Sequence, residues 1–178
     1  APAVAGALTI LLWRGPDVLI AGDGRLAAVR SADGGLAFST GGRGNALVRE
    51  TWLRRDGLDG AAVWPVQGRS EDGRLACDPS GCVYQARGHV VAFARRPEAL
   101  ADDCRYATVL VATFNLRRPC PAPQLTIDRA ALLADGGHVV WLNADGAAES
   151  LNVRSSRGDR PWVPQAFRPR PAASRPAA

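Results

Sequence analysis

The chain has 178 residues, 47% of them apolar, which suits one domain with a real core and excludes a wholly disordered protein. It carries a net charge of +5 and a pI near 9.7. Every cation is arginine, because the sequence holds no lysine. Heavy Arg, Ala, Gly and Pro usage of this kind is most simply a GC-rich coding bias. The functional reading is attraction to phosphate, whose oxygens match the guanidinium fork.

Methionine is absent, even at position 1, so a processed chain or a piece of a longer one is expected. Ala3–Trp13 is almost wholly apolar. A bilayer-crossing helix needs about 20 residues, and this stretch is shorter. It also lacks the positive start of a signal peptide. Two readings stay open for residues 1–13: the end of a membrane helix, with Trp13 and Arg14 at the interface, or a buried first element.

Asp17 to Thr40 reads as a three-stranded meander, VLIA, RLAAVR and LAFST, with Asp-Gly hairpin turns at 23–24 and 33–34. Gly41–Asn45 is glycine-rich but lacks the terminal Lys-Ser/Thr of a phosphate loop. Asn45 is placed to cap a helix running to about Arg55 and ending at Gly57. In it Leu47, Val48, Trp52 and Leu53 fall near helical spacing, and Glu50 and Arg54 form an i,i+4 pair. The following stretch to Gly73 reads as a surface loop with a short apolar insertion. RLAC, CVYQAR and HVVAFARR are strands, with turns at Asp78–Gly81 and Arg87–Gly88. Pro97 to Asp103 suits a short helix with an early proline. Ala107–Phe114, apolar without alternation, is the candidate central strand. A basic loop with a cysteine and a short strand follow. Asp128 caps a helix through Leu133, stopped by Gly136 and Gly137. HVVWLN and AAESLNVR make a hairpin around Asp145–Gly146. Residues 165–178, rich in Pro, Ala and Arg, read as a disordered tail. The expected fold class is α+β, with mostly antiparallel and mixed sheets and a few short helices.

Four cysteines, Cys77, Cys82, Cys104 and Cys120, are too dispersed for the paired spacings of a zinc site. Their even number favours two disulfides, Cys77–Cys82 across DPSG and Cys104–Cys120 across one strand and its loop. Such bonds imply an oxidising compartment. Reduced core thiols are the alternative. The only histidines, His89 and His138, each open a predicted strand after a glycine turn. That is poor provision for a metallohydrolase centre, and no G-x-S-x-G elbow supports a serine hydrolase. No metal, cofactor or small-molecule substrate is expected. The basic groups carry more information. Arg117 and Arg118 follow the central strand, at the kind of carboxyl end where αβ folds place ligands. Arg154, Arg157 and Arg160 form a second group, in which Ser155, Ser156 and Gly158 offer donors to an anion. Both groups are candidate nucleic-acid contacts; a solvated basic face is the plain alternative.

In order along the chain, CDPSGCV, RPEALADDC, RRPCPAP, LTIDRAALLADGGHVVWL and RGDRPWVP resemble the C-terminal region of ComEC-type competence proteins, in the form found in alphaproteobacteria. PDVLIAGDGRLAAVR and RETWLRRDG fit its beginning, so the resemblance spans most of Pro16 to Pro164. It implies a metallo-β-lactamase-like domain over residues 14–164, on the periplasmic side of an inner-membrane channel that imports single-stranded DNA in natural transformation. Active members carry an H-x-H-x-D-H loop and a later histidine pair. The nearest counterpart of the first is Thr51–Gly60, which has Asp56 and Asp59 and no histidine. The second is replaced by Phe114–Arg118. The resemblance therefore implies a degenerate, non-catalytic domain that guides DNA or braces the channel formed by the rest of its polypeptide, with weak electrostatic binding of single- or double-stranded DNA. The alternative is a residual nuclease or phosphoesterase acting on the strand that is not imported, with a centre built from Asp56, Asp59 and His138.

Overall fold

A computed structural model describes residues 14–158. Arg160, the apolar start at 1–13 and the tail at 165–178 lie outside the described residues.

Two six-stranded sheets face each other. The first is built from β1 (Val18–Ile20), β2 (Ala27–Arg30), β3 (Leu36–Phe38), β4 (Ala62–Val63), β11 (His138–Leu142) and β12 (Ala148–Asn152), in the order β12-β11-β1-β2-β3-β4. The second contains β5 (Gly68–Arg69), β6 (Leu75–Cys77), β7 (Gly81–Ala86), β8 (His89–Ala94), β9 (Val109–Ala112) and β10 (Leu125–Ile127), in sequence order. The first sheet is antiparallel apart from the β3–β4 pair, and in the second β8, β9 and β10 run parallel. The fold class is thus α+β with mixed sheets, as the strand and helix patterns imply.

Side-chain alternation explains the layering. Val18 and Ile20 of β1 enter the core between the sheets, together with Val91, Phe93, Val109 and Val111. Leu19, between them in sequence, points the other way and packs with Phe38 against Val48, Trp52 and Leu53. Those three belong to α1 (Ala46–Asp56), which covers the outer face of the first sheet. Leu110 and Ala112 likewise turn outward from β9, against Leu100 and Cys104 of α2 (Leu100–Tyr106). A strand buried on both faces shows no polar alternation, which is why 107–114 reads as continuously apolar. The result is four layers, helix, sheet, sheet, helix. Helix α3 (Arg129–Asp135) leads from β10 to β11 and inserts Leu132 between the sheets. It is capped as its sequence predicts, with the Asp128 carboxylate accepting from the Ala131 amide at 2.9 Å.

Three local expectations need correction. Asn45 makes no side-chain cap; a 3-10 turn over Arg43–Asn45 feeds α1 instead. The C-terminal signal does hold, because Gly57 takes the left-handed conformation at φ 66°. The stretch before Gly73 is mostly exposed, as expected, but it is not all loop. It forms β4 and β5, the edge strands of the two sheets, and buries Trp64, whose indole Nε1 donates to the Ala37 carbonyl at 2.8 Å. The end of the last predicted strand is instead a helix, α4 (Val153–Arg157), opened by a reciprocal capping box between Asn152 and Ser155. Thr51–Gly60 is the second half of α1 and its exit turn, as a helix running to about Arg55 and stopping at Gly57 implies.

Both disulfides are present in the pairing preferred from sequence. Cys77 and Cys82 are register partners on β6 and β7, buried between the sheets. Gly81, beside them, packs so closely that an added Cβ would lie 2.4 Å from the Phe93 carbonyl oxygen. Cys104 and Cys120 are half-buried and tie α2 to the basic loop after β9.

Candidate nucleic-acid interface

Because β8, β9 and β10 run parallel, their carboxyl ends lie together, with Ala94 beside Ala112 in register. Arg95 and Arg96 follow β8, Arg117 and Arg118 stand in the loop after β9, and Arg129 opens α3 directly after β10. All five are exposed. Among the described residues their guanidinium groups make no ion pair or hydrogen bond.

The basic loop is anchored on both sides of its arginines. Before them, the Leu116 amide donates to the second carboxylate oxygen of Asp128 at 3.1 Å, and the Phe114 carbonyl accepts from the Arg129 amide at 3.3 Å. After them, Cys120 is bonded to Cys104. One side chain, Asp128, therefore both caps α3 and positions the backbone beneath Arg117.

The opposite end of the sandwich treats arginine differently. Asp17, buried at the start of β1, accepts from the Leu142 amide at 2.8 Å, pairs with Arg14, and pairs with Arg87 at 3.3 Å. Arg30 pairs with Asp56 at 2.6 Å and reaches the Pro16 carbonyl. There the guanidinium groups hold the fold together. At the carboxyl ends they face solvent with their forks unoccupied.

The structure does not bring all the predicted residues into one cluster. Arg154 and Arg157 lie on α4, and Arg154 stands 3.8 Å from Asp135, the last residue of α3. Arg117 and Arg118 adjoin the other end of α3, which at 7 residues is about 10 Å long. Ser155 and Ser156 are not free donors either. The Ser155 hydroxyl bonds Asn152 and that of Ser156 donates to the Val153 carbonyl. Arg95, Arg96 and Arg129 were missed by sequence reasoning. Arg95 and Arg96 carried the same signal as Arg117 and Arg118, a basic pair just past an apolar strand, whereas Arg129 becomes a neighbour only through the parallel β9–β10 pairing.

The alternative centre is not assembled. The Asp56 carboxylate faces Arg30 and Arg55. The groove lined by His138, about 390 Å³, runs between α1 and β11 and includes neither Asp56 nor Asp59. His138 is buried with its Nδ1 2.9 Å from the Gly136 carbonyl oxygen, and burial pushes its pKa down from 6.5. His89 places Nε2 2.8 Å from the Asn143 carbonyl oxygen. Among the described residues no group of three or more His, Cys, Asp or Glu side chains is arranged to hold a metal ion.

Acidic groups flank the arginines without pairing to them. The Asp103 carboxyl on α2 is pushed above its ordinary pKa by burial, then by Asp78 and Asp102. These carboxyls repel one another on the α2 side, so attraction for an anion comes from the loop side. Between α2 and the loop lies a cleft of about 500 Å³, lined by Leu100, Phe114, Asn115, Arg117, Arg118 and the Cys104–Cys120 bond, among others.

No protein-family model, curated protein or solved structure matches this chain. Among the described residues no helix is long and apolar enough to cross a membrane.

Proposed function

We propose that this chain is a non-catalytic, extracytoplasmic nucleic-acid-guiding domain of a DNA-uptake channel protein, a degenerate metallo-β-lactamase-like unit of the ComEC type. The single observation that carries the reading is the row of five exposed arginines, unpaired among the described residues, at the carboxyl ends of three parallel strands. A guanidinium without a carboxylate partner keeps its donors for phosphate oxygens. Where the resembled family places a histidine pair, this chain has Phe114–Arg118, so anion binding replaces metal binding at that position. The helix–sheet–sheet–helix layering is compatible with the family's scaffold, and the two disulfides suit an oxidising compartment on the periplasmic side of an inner membrane. Guiding asks only for reversible, sequence-tolerant phosphate contact, which exposed arginines on and beside an anchored loop provide. Bracing the channel portion of the same polypeptide is compatible with the same position.

The test is to incubate the purified chain with labelled single-stranded and duplex DNA, with and without added zinc or manganese, and to follow binding and cleavage together. Binding without cleavage is expected. Metal-dependent cleavage abolished by His138→Ala would overturn the non-catalytic reading in favour of a residual nuclease.

A further inference from the structure

The cleft beside Arg117 and Arg118 has a chemistry that phosphate contacts alone do not use. One wall is α2 and the turn before it, through Pro97, Leu100 and Cys104; the other is the loop, through Phe114, Pro119 and Cys120. Its lining is mainly apolar, and its volume of about 500 Å³ falls in the ordinary range for small-ligand sites, about 300–1,000 Å³. Phe114 is only half-buried, Asn115 is exposed, and the two arginines stand at the same cleft. An aromatic face, a neutral amide and cationic forks in one cleft match the three parts of a nucleotide: base face, base edge and phosphate.

We infer that this cleft seats one unstacked nucleobase, with Phe114 against its face and Arg117 and Arg118 on the adjoining phosphates, so that the domain selects single-stranded over duplex DNA. The inference rests on the nucleic-acid reading above and deepens it. Charge alone would favour the duplex, whose phosphates are more densely packed along the axis. A base held in a duplex must be unpaired before it enters such a cleft, and that cost reverses the order. The Cys104–Cys120 bond joins the two walls and fixes the width of the opening.

The test uses the full oxidised chain and fluorescence anisotropy with three labelled probes of equal length: an oligothymidine, an abasic strand of the same charge, and a duplex. The oligothymidine should bind about tenfold tighter than the abasic strand, and tighter than the duplex. Phe114→Ala, which removes the face, and Leu100→Trp, which fills the cleft from the other wall, should each erase that gap, bringing oligothymidine affinity down to that of the abasic strand for the same variant. Thermal melting identifies which variant is folded, so either suffices. If oligothymidine and abasic strand bind equally, or if the gap survives in a folded variant, the base site is refuted while salt-dependent phosphate binding stands. If no probe binds, this inference and the proposed function fall together.

Discussion

At the scale of single residues, the two histidines show how far a sequence constrains function. Their isolation and their place at strand starts were legible, and both are buried against backbone carbonyls as β8 and β11 begin. The partner of His89 was not legible, because Asn143 reaches it only through the stacking of two sheets, whereas His138 meets the carbonyl of Gly136 two residues before it. His138 gives a prediction with a definite sign. Burial lowers its pKa in the folded state from 6.5, so below about pH 6.5 the unfolded chain binds the proton more readily. The contribution of the neutral imidazole is fully present above that pH and is lost as pH falls through the depressed folded value. Urea denaturation across this range should show stability falling with acidification, and His138→Gln should flatten the fall. A steeper decline in the variant would contradict the assignment. Asp17 teaches the complementary lesson. A carboxylate just before an apolar strand looks like a turn residue, yet it is buried and holds Arg14, Arg87 and the Leu142 amide.

Elements with local signals were the legible ones. Asp-Gly hairpins, the Asp128 cap and the Gly57 stop each act within a few residues, and each lies where its sequence placed it. The edge strands β4 and β5 were not legible, because two-residue strands have no periodicity and exist only by pairing with β3 and β6. Helix α4 was lost to the same brevity; its Asn152–Ser155 capping box is a local signal that was read as the end of a strand. The loop after β9 is the element on which function is proposed to turn. Its order depends on Asp128 before the arginines and on Cys104–Cys120 after them. Replacing both Cys104 and Cys120 by alanine releases a bond of sequence separation 16 and should lower stability by about 3 kcal/mol. Amide exchange should then accelerate across 114–120 and stay unchanged in β9. Unchanged exchange in the loop would mean that its prolines and the Leu116–Asp128 bond order it without the disulfide.

At the scale of the whole molecule, the sorting of arginines separates scaffold from surface. Sequence gave their number and their excess over carboxylates, but pairing is a property of the assembled sandwich. Only the fold decides that Arg14, Arg30 and Arg87 meet buried aspartates while Arg95, Arg96, Arg117, Arg118 and Arg129 face solvent. The α+β class with mixed sheets was legible from strand runs, turns and helix signals, but the division into two sheets was not. The parallel run β8-β9-β10, which gathers the basic ends, follows from crossovers that no local pattern encodes. The most direct measurement of the central claim is the salt dependence of single-stranded DNA binding by the intact chain and by an Arg117→Gln, Arg118→Gln double variant. Log affinity should fall linearly with log salt, by about 0.7 per neutralised phosphate, and the double variant should bind every sequence more weakly with a shallower slope. Equal affinity and slope in the two proteins, or binding indifferent to salt, would contradict the account.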